Sequence, residues 1–192
     1  MNILICGDSF AADWQVKYPD QQGWPNQLAL QHRVINLAQA GCSEYKILLQ
    51  LLSADLPSYD RIIVSHTSPY RLYVTEHPVH HRDPLHHNSD LIYTDLKEHS
   101  NTHTNLGPII EYFERYADTD HMKFMHRLLC QHIDQLLTPY PTTHITNLDW
   151  SNLYLFPNML NFEGLFATNR GLMNHYNAEG NQHILDRILA CL

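Results

Sequence analysis

Three short apolar runs, each followed by a segment of helical period, decide what this chain can fold into. Met1–Cys6 (MNILIC), Arg33–Leu37 (RVINL) and Arg61–Ser65 (RIIVS) are rich in β-branched and aliphatic residues and end at turn-forming positions. Met1–Cys6 reads as a buried strand, Arg33–Leu37 as a second strand and Arg61–Ser65 as a third, fully apolar one. Between them, Trp24–His32 and Ser43–Leu56 read as helices. In the second, Tyr45, Leu48, Leu49 and Leu52 share one face, and Ser43 stands where an N-cap belongs. Strands that alternate with helices imply a parallel sheet covered on both sides, an α/β domain of three layers, α/β/α. His144–Leu148 (HITNL) supplies a fourth strand and Leu153–Phe156 a fifth, so the sheet is expected to have four or five. Further helices are expected at Leu106–Tyr116, Thr119–Leu137 and Ala178–Leu192. Met122, Met125, Leu128, Leu129, Ile133 and Leu136 recur at helical spacing and read as the core side of the second of these. A chain of 192 residues is most simply one domain, 1–192.

Residues 66–105 break the alternation. The stretch holds eight of the fifteen histidines and no sustained period, which reads as a lid or insertion. Within it, HPVHHRDPLHHNSD (residues 77–90) carries five histidines and two aspartates, but the spacing matches no zinc pattern. The expectation there is a solvated polar lid, with no metal and no other cofactor. The net charge of −8 and the lack of any Lys/Arg cluster argue against a nucleic-acid partner. Protonating the histidines would add fifteen positive charges, so pH should matter. No apolar run approaches the roughly 18–20 residues that span a bilayer. Nor does the N-terminal run have the form of a signal peptide, since Met1–Cys6 passes straight into Gly7-Asp8. Cys6, Cys42, Cys130 and Cys191 form no close pair and read as free thiols, so a cytoplasmic location is expected.

The chemistry-bearing residues sit at the ends of strands. Gly7-Asp8-Ser9 follows the first strand, where a sharp turn can expose a hydroxyl beside free backbone N–H groups. Asn36-Leu37-Ala38-Gln39-Ala40-Gly41 follows the second. His175-Tyr176-Asn177-Ala178-Glu179-Gly180 precedes the last helix, with Asn177 placed to cap it. Together these three blocks resemble the SGNH or GDSL-type hydrolase family, in order and in element, over nearly the whole chain.

The resemblance implies a flavodoxin-like parallel sheet and a serine esterase acting through an acyl-enzyme. Ser9 would be the nucleophile and His175 its base. The backbone N–H groups of Ser9 and Gly41 would form an oxyanion hole together with a third-block side chain. Two positions depart from the family pattern. In Ser65-His66-Thr67-Ser68-Pro69, Thr67 falls where the family has an oxyanion-hole Asn, and Asn36 or Arg71 would be alternative donors. Before His175, where the family has an orienting Asp, stand Leu172 and Met173. The ring would then need a backbone carbonyl, or a distant acid such as Asp149 or Glu163. Asp8, Asn36 and Arg71 are candidate substrate-binding residues, and Arg71 suits a carboxylate or phosphate. The expected substrate is a short acyl ester, such as an acetyl ester, on a sugar or small metabolite. The alternatives are acyl transfer from the same serine, or a member of the fold that binds ligand without turnover.

Overall fold

The computed structural model describes residues 1–148 and 153–192. Five parallel strands form one sheet in the order β2-β1-β3-β4-β5. They are β1 (Asn2–Gly7), β2 (Arg33–Asn36), β3 (Arg61–Ser65), β4 (Thr142–Thr146) and β5 (Met159–Asn161). The helices are α1 (Trp24–Ala29), α2 (Glu44–Ser53), α3 (Tyr93–His99), α4 (Gly107–Arg115), α5 (Thr119–Leu137), α6 (Glu163–Thr168) and α7 (Ala178–Leu189).

Strand alternation divides the core in two, because successive side chains point to opposite faces. Ile3, Ile5 and Ile63 pack with Trp24 and Leu28 of α1 and with Ile184, Leu185 and Ile188 of α7. Leu4, Cys6, Ile62 and Val64 pack on the other side with Ile47 and Leu51 of α2 and Ile133 and Leu137 of α5. This is the three-layer α/β/α fold. The strand order reverses direction at β1, so the carboxyl ends of β1 and β3 open the crevice where ligands bind in such sheets. Gly7 is required there, because a Cβ would lie 2.7 Å from both the Cβ and the carbonyl oxygen of Ser65.

Several local expectations are corrected. The fifth strand is Met159–Asn161, not Leu153–Phe156. Phe156 instead stacks on His66 and His144, with ring centroids 4.1 Å away in each case. The buried face of α2 is Glu44, Ile47, Leu48 and Leu51, while Tyr45, Leu49 and Leu52 are exposed. The buried face of α5 is His126, Cys130, Ile133 and Leu137, while Met125 and Leu128 face outward. Ser43 occupies the N-cap position of α2 without a side-chain cap bond; its N–H donates to Asp90 instead (2.7 Å). Asn177 caps α7, its Oδ1 accepting from the Gly180 N–H (2.8 Å).

The lid is not a solvated polar segment. Leu91, Leu96, Leu106 and Ile110 form a core of their own under it, an antiparallel bridge joins Leu72 to Leu91, and His77, Ser89 and Asp90 are buried. It closes onto the second block. The Asp90 N–H donates to the Gly41 carbonyl (2.9 Å), and a Cβ on Gly41 would lie 2.5 Å from that of Ser89. Gly41 has φ +76°, which a residue without Cβ adopts at little cost. Cys6, Cys42 and Cys130 are buried free thiols and Cys191 is exposed. No helix among the described residues is long and apolar enough to cross a membrane.

Candidate active site

The turn after β1 is held from several sides at once. The Asp8 N–H donates to the Ser65 carbonyl, and the Ala11 N–H donates to the Asp8 carbonyl. The Phe10 N–H donates to the Asp8 carboxylate (3.1 Å). Three side chains then pin three successive carbonyls. The Trp14 indole donates to Ser9 (2.8 Å), the Trp24 indole to Phe10 (2.9 Å) and the Asn36 amide to Ala11 (2.8 Å). Ser9 is thereby fixed at the mouth of the crevice, and its own N–H donates to no group among the described residues. The Gly41 N–H is likewise uncommitted among them. Asn36 serves this turn, its Oδ1 also accepting from the Ala38 N–H (3.0 Å).

Ser9 and His175 line the same two adjoining cavities, of about 560 and 420 Å³. The His175 ring packs on Trp14 (centroids 4.2 Å apart) and Phe10 (4.9 Å). Its Nδ1 lies 2.8 Å from the Met173 carbonyl. A carbonyl only accepts, so Nδ1 carries the proton and Nε2 of the neutral ring holds the lone pair. Nε2 is buried and makes no hydrogen bond, to Ser9 Oγ or to any other group, among the described residues. Burial is the main cause holding the ring's pKa down, from 6.5 to about 4, against the pull of the Met173 carbonyl. Met173 reaches that position with left-handed backbone angles, φ 48° and ψ 44°, which are unfavourable for a residue with a side chain. A main-chain carbonyl two residues before the histidine thus orients the ring. Glu163 is exposed on α6, and Asp149 lies outside the described residues.

A buried chain of hydrogen bonds joins the neighbour of Ser9 to the neighbour of His175. The Ser65 hydroxyl donates to Asp8 (3.2 Å), the Asn147 amide donates to Ser65 (3.2 Å), and the Tyr176 hydroxyl donates to Asn147 (3.2 Å). Burial raises the Asp8 carboxyl to about 6, opposed by the Arg71 charge and by hydrogen bonds from Phe10, Ser65 and Thr67.

Thr67 stands between Arg71 and Asp8. Arg71 Nε donates to its hydroxyl (3.1 Å), and Arg71 Nη1 donates to the Gly41 carbonyl (2.9 Å). Because Arg71 can only donate, the single Thr67 hydroxyl proton points to the ionised Asp8. Thr67 therefore anchors the arginine, and Arg71 brings the charge into the crevice. The signals that sequence reading lacked are the two indoles, the identity of the orienting carbonyl as that of Met173, and Arg170, which shares the smaller cavity with Ser9, Arg71 and His175.

Two groups among the described residues approach cation-ligand spacing: Glu44, His66 and Cys130, and His77, His80 and Asp95. In the first, His66 Nδ1 meets Glu44 Oε1 (2.6 Å) and its Nε2 meets His144 Nδ1 (2.9 Å), so both ring nitrogens are engaged in a relay. Glu44 Oε2 also accepts from the Thr67 N–H (3.3 Å), which ties this relay to the exit of β3. In the second, His77 Nδ1 accepts from the Val79 and His80 N–H groups (3.2 Å each). The neutral His77 ring therefore turns a proton, not a lone pair, toward Asp95. No family model matches this chain, and no curated protein matches it either.

Proposed function

We propose that the protein is a serine hydrolase of the SGNH/GDSL type, cleaving a short acyl ester on a sugar or small metabolite through an acyl-enzyme on Ser9. One observation carries the reading. A half-buried histidine has its proton fixed on Nδ1 by a carbonyl, and its buried Nε2 has no partner among the described residues, in the same cavities as a serine at the end of β1. A buried polar atom without a partner costs about 1–3 kcal/mol, and in a working site a reacting group repays that cost.

Ser9 Oγ attacks the acyl carbon while its proton passes to His175 Nε2. The carbonyl electrons move onto oxygen, the uncommitted N–H groups of Ser9 and Gly41 donate hydrogen bonds to the resulting oxyanion, and the Arg71 charge adds to the field. The C–O bond to the alcohol breaks, and His175 returns the proton to the departing oxygen. Water then repeats the sequence, freeing the acid and regenerating Ser9. A ring of pKa about 4 is a weak base, and no carboxylate among the described residues pairs with it, so turnover should favour esters with good leaving groups. The buried free thiols and acidic charge suit a cytoplasmic protein without a nucleic-acid partner.

The test is 4-nitrophenyl acetate hydrolysis. Wild type should show turnover or a burst, and Ser9→Ala neither. Equal rates in the two proteins would remove Ser9 from the chemistry and leave a ligand-binding protein.

A further inference from the structure

The smaller cavity at Ser9 has two cationic walls and, among the described residues, no acidic one. Arg71 and Arg170 both line it, and no Asp or Glu among the described residues does. Arg71 is anchored by two neutral acceptors, Thr67 Oγ1 (3.1 Å) and the Gly41 carbonyl (2.9 Å). A guanidinium has five N–H donors, so three of them, including both on Nη2, remain without a partner among the described residues. Asp8 lies beneath it, but that carboxylate is occupied by the Phe10 N–H and the Ser65 and Thr67 hydroxyls.

Arg170 stands on the His175 side. Its main chain bridges to Tyr176, and its guanidinium lies over the Phe166 ring, 5.0 Å from the centroid. Neither arginine forms an ion pair within the described residues. In a chain of net charge −8, two such cations facing one cavity do not follow from a generally basic surface. The stacked, pre-set fork of an arginine suits planar oxyanions and loses little freedom on binding them.

Resting on the reading of Ser9 and His175 as the reacting pair, we infer that the ester taken here carries an anionic oxygen group, a carboxylate or a phosphate, gripped by Arg71 and Arg170. The neutral atoms of the ester then lie against Phe10 and Phe166 with the acyl carbon at Ser9. A neutral acetate ester of the same size would lose the grip.

Binding is measured on Ser9→Ala, which cannot turn substrate over, by the fluorescence of Trp14, whose ring packs on His175. The ligands are monomethyl succinate, glycerol 3-phosphate and their neutral counterparts, dimethyl succinate and glycerol. At least one anion should saturate the signal, weaken with added salt, and bind about tenfold or more less tightly in Arg71→Gln and in Arg170→Gln. Arg170→Gln is the safer variant, because that side chain makes no hydrogen bond within the described residues. The carboxylate and phosphate arms tell the two sources apart. Equal binding of charged and neutral ligands, no saturation by either anion, or unchanged affinity in Arg170→Gln would overturn the inference. Because no turnover is involved, this result stands or falls separately from the hydrolase assay.

Discussion

Acidification acts on the proposed reaction through His175, and the structure sets where. Burial, with smaller contributions from His86 and Arg71, holds the ring at about 4 against an ordinary 6.5, although the Met173 carbonyl pulls the other way. That difference favours the neutral ring by about 3 kcal/mol. The neutral ring is the form that accepts the Ser9 proton, so acylation should persist through the range where an exposed histidine loses its base. The rate of the 4-nitrophenyl acetate burst, followed by stopped flow from pH 8 downward, should fall to half near pH 4. Near-ultraviolet circular dichroism at each pH separates titration from unfolding. The unfolded chain binds the His175 proton first, so this group removes stability as pH falls from 6.5 toward 4. Asp8 and Glu44 act in the opposite sense. Burial raises them to about 6 and about 7, so each contributes stability below its unfolded value that is lost as pH rises through those folded values. An inflection near 6 that disappears in Asp8→Asn belongs to that carboxyl. An acid limb near 6.5 that survives Asp8→Asn would refute the account of His175 as a ring held neutral by desolvation.

Three substitutions probe the surrounding frame. Gly41→Ala places a methyl 2.5 Å from Ser89 Cβ at φ +76°, and thermal unfolding should show a loss of about 1–3 kcal/mol together with slower acylation; stability unchanged within about 0.5 kcal/mol would contradict the close approach of the lid. Thr67→Val removes the acceptor of Arg71 Nε and a donor to Asp8, so acylation of Ser9 should slow by about tenfold or more and the Asp8 inflection should move up; an unchanged rate and inflection would show that Thr67 holds neither group. Met173→Gly relieves the left-handed backbone while keeping the carbonyl on His175, so stability should hold or rise by up to about 1 kcal/mol and the acid limb should stay near 4; a limb moved toward 6.5 would show that the side chain, not the carbonyl, sets the ring.

The first and third strands were legible because Ile3, Ile5, Ile62, Ile63 and Val64 are buried on both faces, which imposes continuous apolar runs; the edge strand β2, with Ile35 exposed, showed only through its β-branched Val34-Ile35 pair. The last strand was not. Met159–Asn161 is too short to carry a period, while the more apolar Leu153–Phe156 lends Phe156 to the histidine stack. The face of α2 was misjudged because polar residues are buried on it: Glu44 meets His66, and Gln50 exchanges hydrogen bonds with the Gly7 N–H and carbonyl. The lid hid its core because Leu72, Leu91, Leu96 and Leu106 are far apart in sequence and meet only on folding. At the site, block spacing singled out Ser9, Gly41 and His175, and the structure puts Ser9 and His175 on the same two cavities. That a backbone carbonyl could orient His175 was open in the sequence, but which carbonyl does so was not legible, because a main-chain group has no residue type to announce it.

The central claim, that Ser9 is an activated nucleophile served by His175, is tested most directly by locating a covalent adduct. The protein is treated with a fluorophosphonate at pH 7, digested, and analysed by peptide mass spectrometry, alongside Ser9→Ala and His175→Gln. The account predicts one adduct, on the peptide containing Ser9, absent in Ser9→Ala and formed at least about a hundredfold more slowly in His175→Gln. An adduct on another residue, or labelling of Ser9→Ala equal to that of wild type, would contradict it.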